Sequence, residues 1–334
     1  MPARNGQKIK IVALLDILKN ESDEEHPISA EYICSRLNEM GISAERKSVY
    51  GDIAALTDYG YDIIHTRTPS AGYYLASREF ELPEVYLLTD AAQAASFITV
   101  KKTRELVKKL GSLLSNSQVK KREKGMYIDN GHKCDNEEIY YNIDTLSRAI
   151  DGRRKVELDY RVRTISKERK IGFEEKHYKV SPYALVWQND HYYLVANYEK
   201  YNNLMHIRVD RMKKVTVTNQ DFRHFSEVSS YTDVFDIADY TKKSFQMYAG
   251  EECEVKFTCT EKILEQVIDR FSDKIFITNV ENGKFSFTTK VILSDGLVNW
   301  IMQFGNDIKV ERPDTLKELL TQKAKSLIEI YKNP

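Results

Sequence analysis

The apolar positions of the first 80 residues predict three short helices followed by a two-stranded hairpin. In the first helix the apolar residues recur at helical spacing, and they are Ile9, Val12, Ile17 and either Leu14 or Leu15. Ser29 can cap the second helix, and Gly41 can end it. The third helix is expected from about Ser43 to Gly60. Residues 61–76 then alternate around a Pro-Ser-Ala-Gly turn, which is typical of a hairpin.

This order of elements is that of a winged helix-turn-helix, in which the third helix enters the major groove of DNA and the hairpin lies beside it. We therefore interpret residues 1–80 as a DNA-binding domain. Basic, hydroxyl and phenol groups suit phosphates and guanine edges, and those expected to contact DNA are Arg46, Lys47, Ser48 and Tyr50 on the third helix and Arg67 in the hairpin. Small three-helix domains that bind protein share the pattern, and the segment has nine basic against twelve acidic side chains. Protein binding therefore stays open as an alternative.

A helical linker is expected over residues 81–150. Thr89 is expected to cap its first helix, and a later apolar stripe consists of Leu106, Leu110 and either Leu113 or Leu114. Residues 116–137 show no periodicity and are predicted to form a long linker before a last helix, whose apolar positions are Ile139, Ile143, Leu146 and Ile150. Helices with such stripes usually pack against a neighbouring domain or a second copy of the chain. We therefore expect a homodimer.

Residues 151–223 change to the alternation of β-strands, with five short strands separated by tight polar turns. This pattern predicts a small β-barrel or a strongly bent sheet. After a connector over residues 224–250, residues 251–334 follow the order β-α-β-β-α-β with an added C-terminal helix, which predicts a ferredoxin-like sandwich. The expected fold class is therefore multidomain α+β.

Composition and charge narrow the function classes. The 334 residues are 42% hydrophobic and 30% charged, which fits a folded soluble chain. Basic and acidic residues number 50 each, so the net charge indicates no particular class of partner. Residues 151–223, in contrast, have sixteen basic and ten acidic side chains. No stretch approaches the roughly 18 consecutive apolar residues of a membrane span, and the N-terminus has no apolar signal core. We therefore expect a cytoplasmic protein that does not bind membranes, with its four cysteines reduced.

Motifs of catalysis and of metal binding are missing from the sequence. It contains no GxSxG, HExxH, Walker or dinucleotide-binding glycine motif. The seven histidines are scattered, and none has a carboxylate or cysteine at metal-ligand spacing. We therefore expect no enzymatic activity, no cofactor and no metal.

Six short runs occur in an order and spacing that are more specific than any one of them alone. They are residues 47–53 (KSVYGDI), 71–75 (AGYYL), 149–160, 192–196 (YYLVA), 207–212 (IRVDRM) and 235–250. Together they resemble the WYL-domain transcriptional regulators of bacteria that begin with a winged helix-turn-helix. The resemblance covers nearly the whole chain.

The resemblance implies a regulator whose middle domain, an Sm-like or SH3-like barrel, senses a ligand that is often suspected to be a nucleic acid or nucleotide. It also implies a dimer. Tyr192 stands where the family usually has tryptophan, which preserves an aromatic wall. Gly51 and Lys47 replace arginines of the third helix, and lysine does not give the same bidentate hydrogen bonds. These departures bear on ligand fit and DNA affinity rather than on the fold.

Strand alternation gives an independent view of the expected ligand site. If the strands around residues 191–196 and 206–211 pair, then His191, Tyr193, His206 and Arg208 lie on the side opposite the apolar core. Such a face could stack on a base and hold a phosphate, with Tyr192 shaping its wall, Arg211 at its edge and Tyr160 included in the site. The alternative is an ordinary solvated polar face.

These observations predict a DNA-binding transcriptional regulator with a sensor domain. Its expected partners are double-stranded DNA, a nucleotide or single-stranded nucleic acid as effector, and a second copy of the chain. The alternative is a nucleic-acid-responsive accessory protein that binds single-stranded RNA or DNA through the WYL domain. The acidic N-terminal segment and Gly51 favour the alternative.

Overall fold

A computed structural model of the chain describes residues 6–123, 133–165 and 169–332. The chain divides into two compact units, Met1–Asp135 and Asn136–Pro334. Along the described ranges, no helix is long and apolar enough to cross a membrane.

The first unit begins with the three helices and the hairpin that the sequence predicts. They are α1 (Gly6–Glu21), α2 (Ala30–Glu39), α3 (Arg46–Tyr59), β1 (Ile63–Thr66) and β2 (Gly72–Leu75), and the two strands pair antiparallel. The Ser29 side chain accepts a hydrogen bond from the backbone N–H of Tyr32 and so caps α2, as expected. Gly60 ends α3 in the left-handed conformation, with φ +117°, that favours glycine.

The core of this part lies between the three helices, but the buried face of α1 differs from the prediction. Ile9 and Val12 are 53% and 57% exposed, so the apolar stripe predicted for α1 does not coincide with its buried face. The buried positions of α1 also recur at helical spacing, but they lie on a different face of the helix. They are Lys10, Leu14, Ile17 and Leu18.

The remainder of the first unit is helical. Its helices are α4 (Leu82–Ala94), α5 (Val100–Gly111) and α6 (Asn116–Glu123). Thr89 is buried inside α4 rather than capping it, because Glu81 and Glu84 form a capping box that starts the helix earlier. The expected linker over 116–137 is partly wrong: α6 forms there, capped by reciprocal hydrogen bonds between Ser115 and Gln118. The rest of that linker falls mainly on residues 124–132, which lie outside the described residues.

The second unit opens with α7 (Ile139–Asp151), which packs against a five-stranded antiparallel sheet. The strands are β3 (Arg154–Ile165), β4 (Ile171–Gln188), β5 (His191–Tyr198), β6 (Met205–Arg208) and β7 (Met212–Asp221), in the spatial order β6-β5-β4-β3-β7. Five strands were expected, but β4 has 18 residues and is not short. Its register shifts between Pro182 and Ala184, where it pairs with β5.

In the structure the connector begins two residues earlier than predicted, runs over residues 222–250 directly after β7, and covers part of this sheet. It contains α8 (Ile237–Lys243) and a short 3₁₀ turn, Phe225–Glu227. Its buried residues pack in one cluster with those of the sheet, and the cluster includes Phe225, Phe235, Tyr240, Met247, Tyr183, Val186 and Val195. The sheet is therefore buried on a second face as well as on the face toward α7.

The C-terminal part has the seven elements in the predicted order. They are β8 (Glu251–Thr260), α9 (Leu264–Phe271), β9 (Ile277–Glu281), β10 (Lys284–Leu293), α10 (Asp295–Met302), β11 (Ile308–Arg312) and α11 (Asp314–Lys332). The strands form an antiparallel sheet in the order β11-β8-β10-β9. Phe257 and Phe287, on adjacent strands, lie at the centre of its core.

Candidate functional site

The edge of the five-stranded sheet brings together three of the residues predicted to bind a ligand. Tyr193 on β5 lies directly opposite Arg208 on β6, and the His191 ring centroid lies 6.2 Å from that of Tyr193. Burial lowers the pKa of His191, and the nearby charge of Arg208 lowers it further, so the imidazole is neutral near pH 7. Burial also raises the pKa of Tyr193. These three side chains form a partly buried aromatic and cationic surface, called the β5–β6 face below.

Arg208 is held in place by Asp210. Its Nε donates to Oδ1 at 3.0 Å and its Nη2 donates to Oδ2 at 2.6 Å, while the two side chains are 22% and 8% exposed. Burial alone would lower the pKa of Arg208, but the hydrogen bonds and charge of Asp210 outweigh it and raise the pKa. The bidentate pair uses two of the five N–H donors of the guanidinium and fixes its plane. An anion at this face would therefore meet an oriented guanidinium.

His206 does not share an open face with these residues, and the expectation that it would is wrong. It lies opposite Val195, as strand alternation requires, but the connector covers both side chains. The Nε2 atom of His206 lies 2.8 Å from the hydroxyl of Tyr240, and burial lowers the pKa of this histidine to about 4. His206 is therefore neutral near pH 7 and joins the sheet to the connector.

The remaining residues of the expected ligand site are Tyr160, Arg211 and Tyr192. Tyr160 of β3 lies opposite Met212, the first residue of β7, and Arg211 directly precedes Met212 along the chain. Tyr192 lies opposite Trp187 of β4, and the alternation of β5 directs it to the side away from Tyr193. The structure thus brings together His191, Tyr193 and Arg208. Tyr192 and His206 lie apart from these three residues.

The expected DNA-binding residues lie on α3 and in the hairpin, and Arg46 has a partner within the protein. Arg46 Nη1 lies 2.6 Å from Glu31 Oε1 of α2, and both side chains are more than half exposed. Lys47 and Arg67 are exposed to solvent. The exposed basic surface is thus smaller than the sequence predicted, because Glu31 offsets one of its charges.

Ser48 faces α1 rather than solvent. Its hydroxyl accepts a hydrogen bond from the ammonium group of Lys10, which also lies 2.9 Å from Asp52 Oδ2. Lys10 is only 8% exposed and Asp52 is 20% exposed. Ser48 and Asp52 therefore orient α3 against α1, and sequence reasoning missed this contact. The available signal was a lysine four positions before Leu14, at the spacing of the buried stripe.

Tyr50 belongs to an aromatic cluster that joins α3 to the hairpin. Its ring centroid lies 6.3 Å from that of Tyr73, which lies 4.7 Å from that of His65. Tyr50 remains 47% exposed. The hairpin itself is held by backbone hydrogen bonds between Ile28 and Tyr73, and a Cβ atom on Gly72 would lie 2.7 Å from the Ile28 backbone. Only glycine allows this close approach.

Comparison with protein families agrees with the architecture of the second unit. Residues 141–217 match the family model described as the WYL domain, which covers most of α7 and the five-stranded sheet. Residues 251–328 match the model of the WCX domain, which covers the C-terminal sheet and most of α11. The chain therefore carries a WYL domain followed by a WCX domain.

Among solved structures, the chain is similar to the proteasome accessory factor B/C (PafBC) of Arthrobacter aurescens. The sequence identity is 15% and the TM-score 0.27, over 94% of this chain and 47% of that chain. The chain thus spans about half the length of that protein. A comparison with curated proteins gives no match.

Proposed function

We propose that the protein is a DNA-binding transcriptional regulator whose WYL domain binds a nucleotide or a single-stranded nucleic acid. The observation that carries the proposal is the order α1-α2-α3-β1-β2, with Lys47, Arg46 and Tyr50 exposed on α3. In a winged helix-turn-helix this helix enters the major groove. The WYL and WCX domains that follow support the assignment to a WYL-type regulator.

The β5–β6 face is the proposed effector site. Arg208 presents an oriented guanidinium for a phosphate, and Tyr193 offers a ring on which a base could stack. The neutral imidazole of His191 adds a hydrogen-bonding group without repelling the arginine. An effector at this face changes DNA binding only if it binds one conformation of the protein more tightly than another. We propose a cytoplasmic homodimer without enzymatic activity, with Tyr160 and Arg211 bordering the effector.

The test is binding to random genomic duplex fragments, compared with single strands of the same sequences at equal salt. We expect the parent protein to bind duplexes and the Arg46→Ala/Lys47→Ala variant to bind all of them more weakly. Each lost phosphate contact should lower the slope of log affinity against log salt by about one. Equal binding by parent and variant would show that α3 does not contact DNA.

The second candidate function is an accessory protein that binds single-stranded RNA or DNA through the β5–β6 face. Two contacts favour this candidate: Glu31 pairs with Arg46, and Lys10 donates a hydrogen bond to Ser48. Fewer side chains of α3 are then available to contact DNA. Preference for single strands, lost on substitution of Tyr193 but not of Lys47, would support this candidate.

A further inference from the structure

The hairpin formed by β3 and β4 extends beyond the rest of its sheet. β3 pairs with β7 only as far as Tyr160, and β4 pairs with β5 only from Val180 onward. Beyond Tyr160, the described strands β3 and β4 continue to pair with each other up to Ile165 opposite Ile171. Residues 161–165 and 171–175 therefore form a two-stranded arm, called the β3–β4 arm below.

One face of the β3–β4 arm is apolar at its far end. Directly opposed residues of an antiparallel pair lie on the same face, so Ile165 and Ile171 share a face with Arg163 and Phe173. The two isoleucines are 81% and 73% exposed, and Phe173 is 51% exposed. Large apolar side chains grouped at an exposed position mark an interaction surface.

Basic side chains outnumber acidic ones near this apolar end. Residues 161–173 contain five basic side chains and one acidic one, Glu168. The acidic residues of the arm, Glu174 and Glu175, lie nearer its base, where Glu175 Oε1 is 3.1 Å from Arg161 Nε. The Arg161 guanidinium also lies 5.6 Å from the centroid of the Phe173 ring. Arg163, two residue pairs closer to the end, is exposed.

We infer that the β3–β4 arm is a second DNA-binding element, which lies in a groove of double-stranded DNA with Ile165 and Ile171 against the bases. A two-stranded ribbon fits a DNA groove, and apolar side chains of groove-binding proteins insert between base steps and bend the duplex. In a DNA groove the apolar side chains would contact the bases, and the basic side chains beside them would contact the phosphates. A second copy of this chain has a net charge of zero and offers no such uniform negative charge, so DNA is the favoured partner. The inference rests on the proposed duplex binding, but it concerns a different element.

The experiment uses the full chain and a mixed-sequence DNA duplex of about 30 base pairs with a fluorophore at each end. Affinity is measured between about 50 and 200 mM salt, and energy transfer between the ends reports bending. The variants are Arg163→Gln and Ile165→Ser/Ile171→Ser. Their matched controls on α11 are Lys323→Gln and Ile330→Ser/Tyr331→Ser, because those side chains are also exposed.

Arg163→Gln should weaken binding about 3- to 10-fold and lower the salt slope by about one. The isoleucine variant should keep the salt slope but bend the duplex less than the parent does. The α11 controls should match the parent. Arm variants that bind and bend the duplex as the parent does would overturn the inference, and so would arm variants that change only the sedimentation coefficient of the free protein, because the arm would then join two copies.

The variant Arg46→Gln/Lys47→Gln, measured in parallel, separates this inference from the proposed function. If it loses affinity while the arm variants do not, the arm is wrongly assigned and the α3 assignment stands. If the arm variants lose affinity and the Arg46→Gln/Lys47→Gln variant does not, the result supports DNA binding by the arm and contradicts DNA binding by α3. A parent protein that binds no duplex contradicts both.

Discussion

The ammonium group of Lys10 lies 2.9 Å from Oδ2 of Asp52, and this contact joins α1 to the helix proposed to enter DNA. Lys10 occupies a position of the buried stripe, so it replaces an apolar side chain with a charge that needs a partner. The orientation of α3 thus depends on a polar contact beside the apolar core.

Lys10→Met should lower the free energy of unfolding by about 3 kcal/mol, because it leaves the largely buried carboxylate of Asp52 without its counter-charge. Lys10→Met/Asp52→Leu should recover most of this loss, since apolar residues of similar size can replace a buried ion pair. Urea unfolding measures both. Ile9→Ala, at an exposed neighbour, serves as the control. If Lys10→Met is as stable as Ile9→Ala, the contact between Lys10 and Asp52 contributes nothing to the free energy of unfolding.

Arg208→Ala should also destabilise the protein, by about 3 kcal/mol, because Asp210 is 8% exposed and would lose its bidentate partner. Arg208→Gln/Asp210→Asn should recover much of this stability, and it is therefore the variant in which to test effector binding. We expect it to bind nucleotides or oligonucleotides more weakly than the parent. Calorimetric titration with adenosine monophosphate and with a short oligonucleotide checks this, and unchanged affinity for both would contradict the role given to Arg208.

The contact between His206 and Tyr240 should make stability depend on pH. The pKa of His206 is about 4 in the folded protein and about 6.5 in an unfolded chain. The unfolded chain therefore binds the proton more readily, and stability falls as the pH drops from 6.5 through 4. The loss between pH 7 and pH 5 should be about 2 kcal/mol. Unfolding by urea at pH 7 and pH 5 measures this loss, and the His206→Phe variant should lack it. If parent and variant lose the same free energy of unfolding between the two pH values, the pH dependence belongs to other groups.

Local periodicity predicted most of the elements, because the spacing of apolar residues within a helix or strand does not depend on distant contacts. It failed where a distant residue changes what a position can hold. Lys10 is buried because Asp52 lies on another helix, and His206 is covered because Tyr240 lies in a later segment. Strand alternation placed Tyr193 beside Arg208, as the register shows, but it could not show that Asp210 would hold the guanidinium.

Glu31→Gln should strengthen binding to duplex DNA about 2- to 5-fold, because it releases Arg46 and removes a negative charge next to α3. The salt slope should become steeper by up to one, as expected for one more phosphate contact. Both side chains of the pair are exposed, so the substitution should leave stability nearly unchanged. Glu39→Gln is the matched control, since Glu39 is on the same helix, is 58% exposed and pairs with Arg36 rather than Arg46. If the two variants bind duplexes equally, the charge beside Arg46 does not face DNA, and α3 is not the helix that contacts it.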